Sequence, residues 1–324
     1  MYGTWLGLGG RSLFATLASL AIFLLVMVLC AARGVTEEIL SRFGGTAAIL
    51  PAAGLFLSYL LYTLGTSTFS ALRIGSVCAL IFLPLALAAS AERRPPGVWQ
   101  DFAIIAATWA TVKFLPVRWL WPFPGEKLSH VFTVVLMVDV GIAAFLIMRR
   151  IDGVGYSIGW GPKWGFIIGG SFLAFAVVAI PLGLAERFVQ FAPRWSSAAS
   201  LPFTALGILL LTAWPEEFLF RGLLQNILSR VTGSDLAGWC TASVLFGLAH
   251  ITNNHFPNWR YVLLATIAGF FYGWTWQKDG LDLRIRASPC HGRHAVAFPV
   301  QNSLSNVGWG DVYKTRNDSS KRPV

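Results

Sequence analysis

The chain has 324 residues, of which 55% are hydrophobic and only 12% are charged, whereas about 25% of the residues in a soluble domain are charged. This composition excludes a water-soluble globule. It also excludes a disordered chain, because 24 Phe and 14 Trp supply far more apolar surface than such chains contain. The formal net charge is +10, but the basic residues lie between apolar runs and form no stripe interleaved with aromatic residues. Nucleic acid is therefore not an expected partner, and lipid is the expected solvent.

The cysteines give no sign of redox chemistry. They are far apart and include no CxxC pair: Cys30, Cys78, Cys240 and Cys290. This spacing indicates neither a disulfide framework nor a zinc site built on thiolates.

Apolar segments of membrane-spanning length recur along the chain. A hydrocarbon core about 30 Å thick requires about 20 mostly apolar residues per helix. We predict about nine spans, and so an all-α fold, a polytopic transmembrane helical bundle. Two of the spans are less regular, because Asp101–Leu115 is short and contains Lys113, and Leu201–Leu224 ends in charged residues. The other seven are Ser12–Ala32, Thr46–Thr66, Ala71–Ser90, His130–Met148, Trp164–Leu184, Leu236–His250 and Arg260–Gln277.

Two adjacent carboxylates and an arginine follow directly on the apolar run 208–213, in the sequence Trp-Pro-Glu-Glu-Phe-Leu-Phe-Arg-Gly. A charge near the bilayer centre costs about 2.5–3.5 kcal/mol on insertion scales, so such groups indicate a functional site that faces protein or a water-filled cavity. On a helix, Glu217 and Arg221 are four residues apart and can pair, whereas Glu216 is turned by about 100° from Glu217. Glu216 is thereby available for chemistry. The alternative is a helix end at the interface with a solvated Glu–Arg pair.

A histidine ends the next predicted span, in the sequence from Phe246 to His250. Taken alone, a histidine at a helix end is more often an interfacial residue than a catalyst. The glutamate pair one helix earlier makes a catalytic role the favoured interpretation of His250. A carboxylate and an imidazole across a cavity can take a proton from water and return it to a leaving group. Asn253, Asn254 and His255 follow, and they fit either hydrogen-bond donors at the cavity mouth or an ordinary polar loop.

The two motifs together resemble a known family. EExxxR, present as Glu216–Arg221, is followed by FxxxH, present as Phe246–His250. Their order and spacing resemble the CPBP family of intramembrane proteases, which comprises the type II CAAX prenyl endopeptidases and bacterial relatives linked to bacteriocin processing and self-immunity. The resemblance covers Leu201 to Lys278. It implies that Glu216 and His250 activate the attacking water, and that the supporting residues orient the site: Glu217, Arg221 and Phe246.

The resemblance also implies a reaction and a location. We expect an endopeptidase of the bacterial plasma membrane that cleaves a membrane-associated peptide or protein, with prenylated or CAAX-like substrates as one class, and membrane lipid as its other partner. A water activated by glutamate is the favoured mechanism, although a Glu–His site without thiolates can also hold zinc, with Glu216 and His250 as ligands. The rival hypothesis is a non-catalytic protein, either an immunity or scaffold factor or a transporter, whose buried Glu–Arg pair only holds helices together.

The resemblance stops after Lys278. Family members continue into one last span with a third histidine and, four residues later, an Asn or Asp, whereas residues 279–324 are polar and contain no span. His291 and His294 lie in this tail without helical apolar spacing. Read one nucleotide out of frame from the codon of Asp279, with synonymous codons chosen freely, the tail permits Thr-Gly-Ser-Ile-Tyr and then an apolar helix with a histidine and, four residues on, an aspartate.

We therefore predict three segments. Residues 1–200 form N-terminal transmembrane helices, residues 201–278 form the protease core, and residues 279–324 are a non-homologous tail that a one-nucleotide frameshift has produced. We expect this tail to lie outside the functional fold. The chain as written is then inactive or much impaired, because the final span of the family is missing.

Overall fold

The computed structural model describes residues 10–123, 125–154, 162–190, 200–254 and 256–278. The regular elements in these ranges are helices, and the prediction of an all-α polytopic membrane bundle is confirmed. His255, His291 and His294, with the rest of the tail, lie outside the described residues. In chain order the helices are α1 (Gly10–Cys30), α2 (Arg33–Phe43), α3 (Ile49–Gly65), α4 (Ala71–Ser90), α5 (Trp99–Phe114), α6 (Val117–Leu120), α7 (Glu126–Ile142), α8 (Pro162–Ala185), α9 (Leu201–Thr232), α10 (Asp235–Leu248) and α11 (Trp259–Lys278).

Fewer of the described helices are long and apolar enough to cross a membrane than the nine spans that the sequence predicts. Within the described residues, five helices are long and apolar enough to cross a membrane, or six if Gly34–Thr46 and Ile49–Gly65, which are bent by 94°, count as one span. The other three predicted spans form α5, α10 and α11. With 16 residues in α5 and 14 in α10, these two helices are shorter than the roughly 20 residues that a bilayer requires. α11 has 20 residues, but its tyrosines and basic residues make it less apolar.

The helix α7 lies at the centre of the bundle. Together with its π-helical continuation Ala143–Met148 it forms a span that is 89% buried inside the protein. It packs against α1, α3 and α5, as expected for a predominantly apolar helix. Five aromatic rings, of which Phe132 belongs to α7 itself, form a buried cluster: Phe23, Tyr59, Tyr62, Trp121 and Phe132. The N-terminal helices therefore share one packed core.

A buried ion pair ties the end of α7 to the start of α5. Arg149 Nε donates to Asp101 Oδ1 at 2.8 Å, and the two side chains are 1% and 0% exposed. The same guanidinium donates to the carbonyl oxygens of Ala91, Arg94 and Pro95 in the loop between α4 and α5. A guanidinium has five N–H donors, so a single side chain can hold this whole loop. The contact fixes the direction in which α5 leaves the loop.

Helices α9, α10 and α11 pack closely through small residues. Gly233 follows the last residue of α9, and its φ of +64° lies in the left-handed region that glycine favours. The Ser234 hydroxyl accepts a hydrogen bond from the first turn of α10. A Cβ on Gly247 of α10 would lie only 2.8 Å from the backbone oxygen of Val262 in α11. Such close approach of backbones is typical of helix packing in membranes. It brings the end of α10 against the first turns of α11.

Candidate active site

The two glutamates lie in the middle of α9, where the helix is irregular. Two π-helical stretches, Leu209–Ala213 and Phe218–Gln225, flank the α-helical turn Trp214–Glu217. Pro215 has no N–H, and its ring would clash with the carbonyl four residues earlier in a regular α-helix; the wider π turn accommodates it. Irregular turns of this kind are frequent at functional sites. The Glu217 residue is 2% exposed, whereas the Glu216 side chain is 37% exposed.

Glu217 and Arg221 form a buried ion pair. The distance from Arg221 Nη1 to Glu217 Oε1 is 3.3 Å, and the side chains are 1% and 3% exposed. The Arg221 guanidinium also lies 4.2 Å from the centre of the Phe246 ring and 5.3 Å from that of Tyr272, which are favourable cation–π distances. Its Nη2 donates to the Gly269 carbonyl at 3.4 Å. Arg221 therefore connects α9 with both α10 and α11.

His250 lies in the turn that follows α10. The sequence predicted a span that continues to His250, but the helix ends at Leu248. The imidazole Nδ1 is 2.7 Å from the Phe246 carbonyl oxygen, one of the last carbonyls of the helix, which lack intrahelical partners. Because a carbonyl only accepts hydrogen bonds, Nδ1 carries the proton in this contact, and Nε2 is the acceptor of the neutral ring. The end of α10 thus sets both the orientation and the tautomer of His250.

Glu216 and His250 approach each other across the gap between α9 and the end of α10. The distance from Glu216 Oε1 to His250 Nε2 is 3.8 Å, which is too long for a direct hydrogen bond but allows one water molecule to contact both atoms. The Phe246 ring meets the imidazole edge-on at 4.8 Å, and the Tyr261 ring stacks on it at 4.9 Å with 23° between the planes. Two aromatic rings from different helices therefore hold the imidazole.

A second set of contacts borders this pair. Lys113 of α5 donates a hydrogen bond from Nζ to Asn253 Oδ1 at 2.8 Å. The Asn253 carbonyl accepts from Asn258 Nδ2 at 3.0 Å, and Asn258 Oδ1 accepts from the Tyr261 backbone N–H at 3.1 Å. The sequence singled out Asn253 only as one of several polar residues, and Lys113 only as an interruption of a predicted span. A lysine in an apolar segment is itself a signal of function, so Lys113 could have been recognised. Tyr261 could not, because an aromatic residue in an apolar helix is ordinary.

The donors for a metal ion are few in this part of the chain. A catalytic zinc site uses three protein ligands, and among the described residues no three His, Cys, Asp or Glu side chains lie together in a way that could hold a metal ion. Glu216 and His250 supply two donors, and Glu217 is paired with Arg221. The described residues therefore do not fit a complete zinc site.

Comparison with known families finds one family model that covers both motifs, EExxxR and FxxxH. Residues 198–283 match the family model described as type II CAAX prenyl endopeptidase Rce1-like. The resemblance to this endopeptidase family is confirmed. The match includes α9, α10 and α11, and it excludes Lys113, His291 and His294. Comparison with curated proteins and with solved structures finds no match. An intramembrane endopeptidase of the CAAX type is thus supported as the general class, for an integral membrane protein.

Proposed function

We propose that this chain is an intramembrane endopeptidase in which Glu216 and His250 activate the water that attacks a peptide carbonyl. The observation that carries the proposal is the 3.8 Å separation of Glu216 Oε1 and His250 Nε2. A carboxylate and an imidazole that converge on one position inside an apolar bundle are suited to general acid–base catalysis. The family match supports the reaction class, and the short distance between Glu216 and His250 supports their assignment as the catalytic residues.

The tautomer of His250 determines how the water is oriented. With its Nδ1 proton directed to Phe246, His250 presents a lone pair on Nε2, and the Glu216 carboxylate presents another acceptor. A water between them donates one hydrogen to each, so that its oxygen lone pair is directed away from both and towards a substrate carbonyl. Glu216 then takes a proton as the new C–O bond forms and returns it to the amine nitrogen as the C–N bond breaks.

The neighbouring Glu217–Arg221 ion pair is electrically neutral. Arg221 lies against Glu217 at 3.3 Å, so the second carboxylate and the guanidinium together add no net charge beside Glu216. Phe246 contacts both the guanidinium and the imidazole. We assign these three residues to holding the site rather than to bond breaking.

The substrate class we propose is a peptide delivered from the lipid, and a prenylated CAAX-type peptide is the first to test. The experiment reconstitutes the chain in liposomes and follows cleavage of an internally quenched farnesylated peptide that ends in Cys-aliphatic-aliphatic-X. Two forms are compared: the 324-residue chain, and a form in which the shifted-frame span replaces residues 279–324. We expect hydrolysis that falls by at least about 100-fold in Glu216→Gln and His250→Ala, the usual size of a general-base contribution.

Glu38→Gln is the matched control, because Glu38 is an exposed glutamate of α2 that pairs with Arg42 on the same helix, and its replacement should leave cleavage unchanged. An unprenylated copy of the peptide tests the need for the lipid group. Cleavage that persists in Glu216→Gln would contradict the proposal. So would the absence of Glu216-dependent cleavage in both forms, which would favour a non-catalytic membrane protein.

A further inference from the structure

Lys113 has no role in the mechanism above and lies outside the segment that matches the family. It is in the last turn of α5, where a lysine ordinarily extends its ammonium group towards the membrane surface or interacts with the carbonyl end of its own helix. Instead, Nζ is 2.8 Å from Asn253 Oδ1, a residue 140 positions later in the chain. This hydrogen bond joins two distant segments of the chain, so it does more than satisfy the ammonium group of Lys113.

Asn253 is the centre of the turn that carries His250. Its backbone N–H donates to the His250 carbonyl at 3.0 Å, and its own carbonyl accepts from Asn258 Nδ2 at 3.0 Å. Its side chain accepts a hydrogen bond from Lys113 Nζ, and Asn258 Oδ1 in turn accepts one from the Tyr261 backbone N–H at 3.1 Å. Asn253 therefore links the imidazole-bearing turn, the start of α11 and the end of α5.

We propose that Lys113 is a positioning residue of this site: by holding the Asn253 side chain, it fixes the turn after α10 and keeps Tyr261 stacked on His250. The stack then directs Nε2 of His250 towards Glu216 at 3.8 Å. The effect of Lys113 on catalysis rests on the proposed function. The hydrogen bond from Lys113 to Asn253 does not, and it joins α5 to the segment that matches the family model. In this arrangement the N-terminal helices complete the site rather than only anchor it.

The placement of the lysine charge supports the same role. The ammonium group of Lys113 interacts electrostatically with Glu216 and with His250. Arg221 also acts on Glu216, but it is itself paired with Glu217. The charge of Lys113 thus adds a second cation beside Glu216, and an arginine at position 113 would preserve both the charge and a donor to Asn253.

The first measurement is hydrogen exchange on the full 324-residue chain in nanodiscs, read on peptides that cover residues 249–254. We expect Lys113→Met to speed exchange of this turn at least tenfold and to leave α4 unchanged, and we expect Lys113→Arg to restore the slow exchange. Asn253→Ala should have the same local effect, and the double variant should add nothing to either single change, because both remove one contact. Thr111→Val is the control, since the exposed Thr111 hydroxyl donates to the Ala107 carbonyl of its own helix.

The second measurement is kinetic and follows the farnesylated peptide in whichever of the two reconstituted forms cleaves it in a Glu216-dependent way. We expect Lys113→Met to lower kcat at least tenfold with KM unchanged within twofold, and Lys113→Arg to recover most of the loss. Unchanged exchange in Lys113→Met, an Arg variant as defective as Met, or effects that multiply in the double variant would each overturn the inference. If Glu216→Gln retains cleavage, the proposed function fails, while the exchange result still decides whether Lys113 holds the turn.

Discussion

The rings of Tyr261 and His250 lie nearly parallel, with 23° between their planes and 4.9 Å between their centres. Tyr261 is in the first turn of α11, and His250 is in the turn after α10, so the stack depends on how these two helices pack. Phe246 contacts the imidazole from a second direction. The orientation of His250 therefore depends on the packing between helices as well as on its contact with the end of α10.

Replacing Tyr261 should test this dependence. Tyr261→Leu removes the ring, and since an aromatic pair contributes about 0.5–1.5 kcal/mol, we expect kcat to fall by roughly 2- to 12-fold. Tyr261→Phe keeps the ring and should retain more activity than Tyr261→Leu. The measurement is cleavage of the quenched peptide in liposomes at equal protein content. Equal losses in the two variants would show that the hydroxyl matters and the stack does not.

The buried pair of Glu217 and Arg221 should contribute to folding. Arg221→Met leaves the Glu217 carboxylate without its guanidinium in the interior, and breaking one partner of a buried pair costs about 3–5 kcal/mol. We expect a lower folded yield and a lower midpoint of thermal unfolding in detergent. The double variant Glu217→Gln/Arg221→Met should be more stable than Arg221→Met alone, because no unpaired charge remains.

The pair Glu38–Arg42 provides a control with the same spacing of four residues. Its side chains are 57% and 70% exposed, and exposed pairs of this type contribute little. Arg42→Met should therefore leave the unfolding midpoint almost unchanged. Normal accumulation and stability of Arg221→Met would show that the buried pair is not needed for folding.

The sequence predicted correctly those membrane helices that consist of a long apolar run. α1, α4, α7 and α9 coincide with apolar runs, because lipid requires an apolar exterior and a helix satisfies its own backbone. It did not predict the irregularity of α9, since π-helical turns follow from how Pro215 and the packed neighbours are accommodated. The same limit applies to Asp139, a carboxylate that is 0% exposed in the last turn of α7. One acidic residue hardly changes the average of a long apolar window.

For the candidate site, the sequence placed Glu216, Glu217 and Arg221 on one helix and His250 near the next, because spacing along a helix is a local property. Contacts between distant segments were not available from spacing. The bond from Lys113 to Asn253 joins residues 140 positions apart, and the pair of Asp101 with Arg149 joins residues 48 positions apart. Both become visible only when the helices are assembled.

Gly247 should be required for the close packing of α10 on α11. A Cβ at this position would lie 1.8 Å from Thr266 Oγ1 and 2.8 Å from the Val262 carbonyl oxygen. The threonine side chain can rotate, but the backbone oxygen cannot, so Gly247→Ala must move the helices apart at a cost of about 1–3 kcal/mol. We expect a lower unfolding midpoint and, because Tyr261 is adjacent to Val262, lower activity. Gly207→Ala in α9, where nothing lies within 4 Å of the new Cβ, should be neutral; equal effects of the two substitutions would contradict this account.

The last prediction concerns the frame of the gene beyond Lys278. The family match ends at residue 283, and the shifted frame from Asp279 permits an apolar span with a histidine and an aspartate four residues apart, which neighbour each other on one helix face. The histidine would give the site a further donor for the oxyanion, worth roughly 3–4 kcal/mol by analogy with known oxyanion holes, and the aspartate carboxylate would accept a hydrogen bond from the histidine ring and orient it. We therefore expect the form with the shifted-frame span to cleave the peptide at least about 100-fold faster than the 324-residue chain.

The nucleotide sequence around codon 279 provides the direct check, and we expect it to contain one inserted or deleted nucleotide relative to the frame that encodes the span. The matched control is the shifted-frame form with its new histidine replaced by alanine, which should return to the low activity of the 324-residue chain. If the coding DNA confirms the present frame and the 324-residue chain cleaves the peptide in a Glu216-dependent way, the frameshift hypothesis is wrong. In that case His291 and His294 become the candidates for the third catalytic residue, and alanine replacement of each would identify which one supplies it.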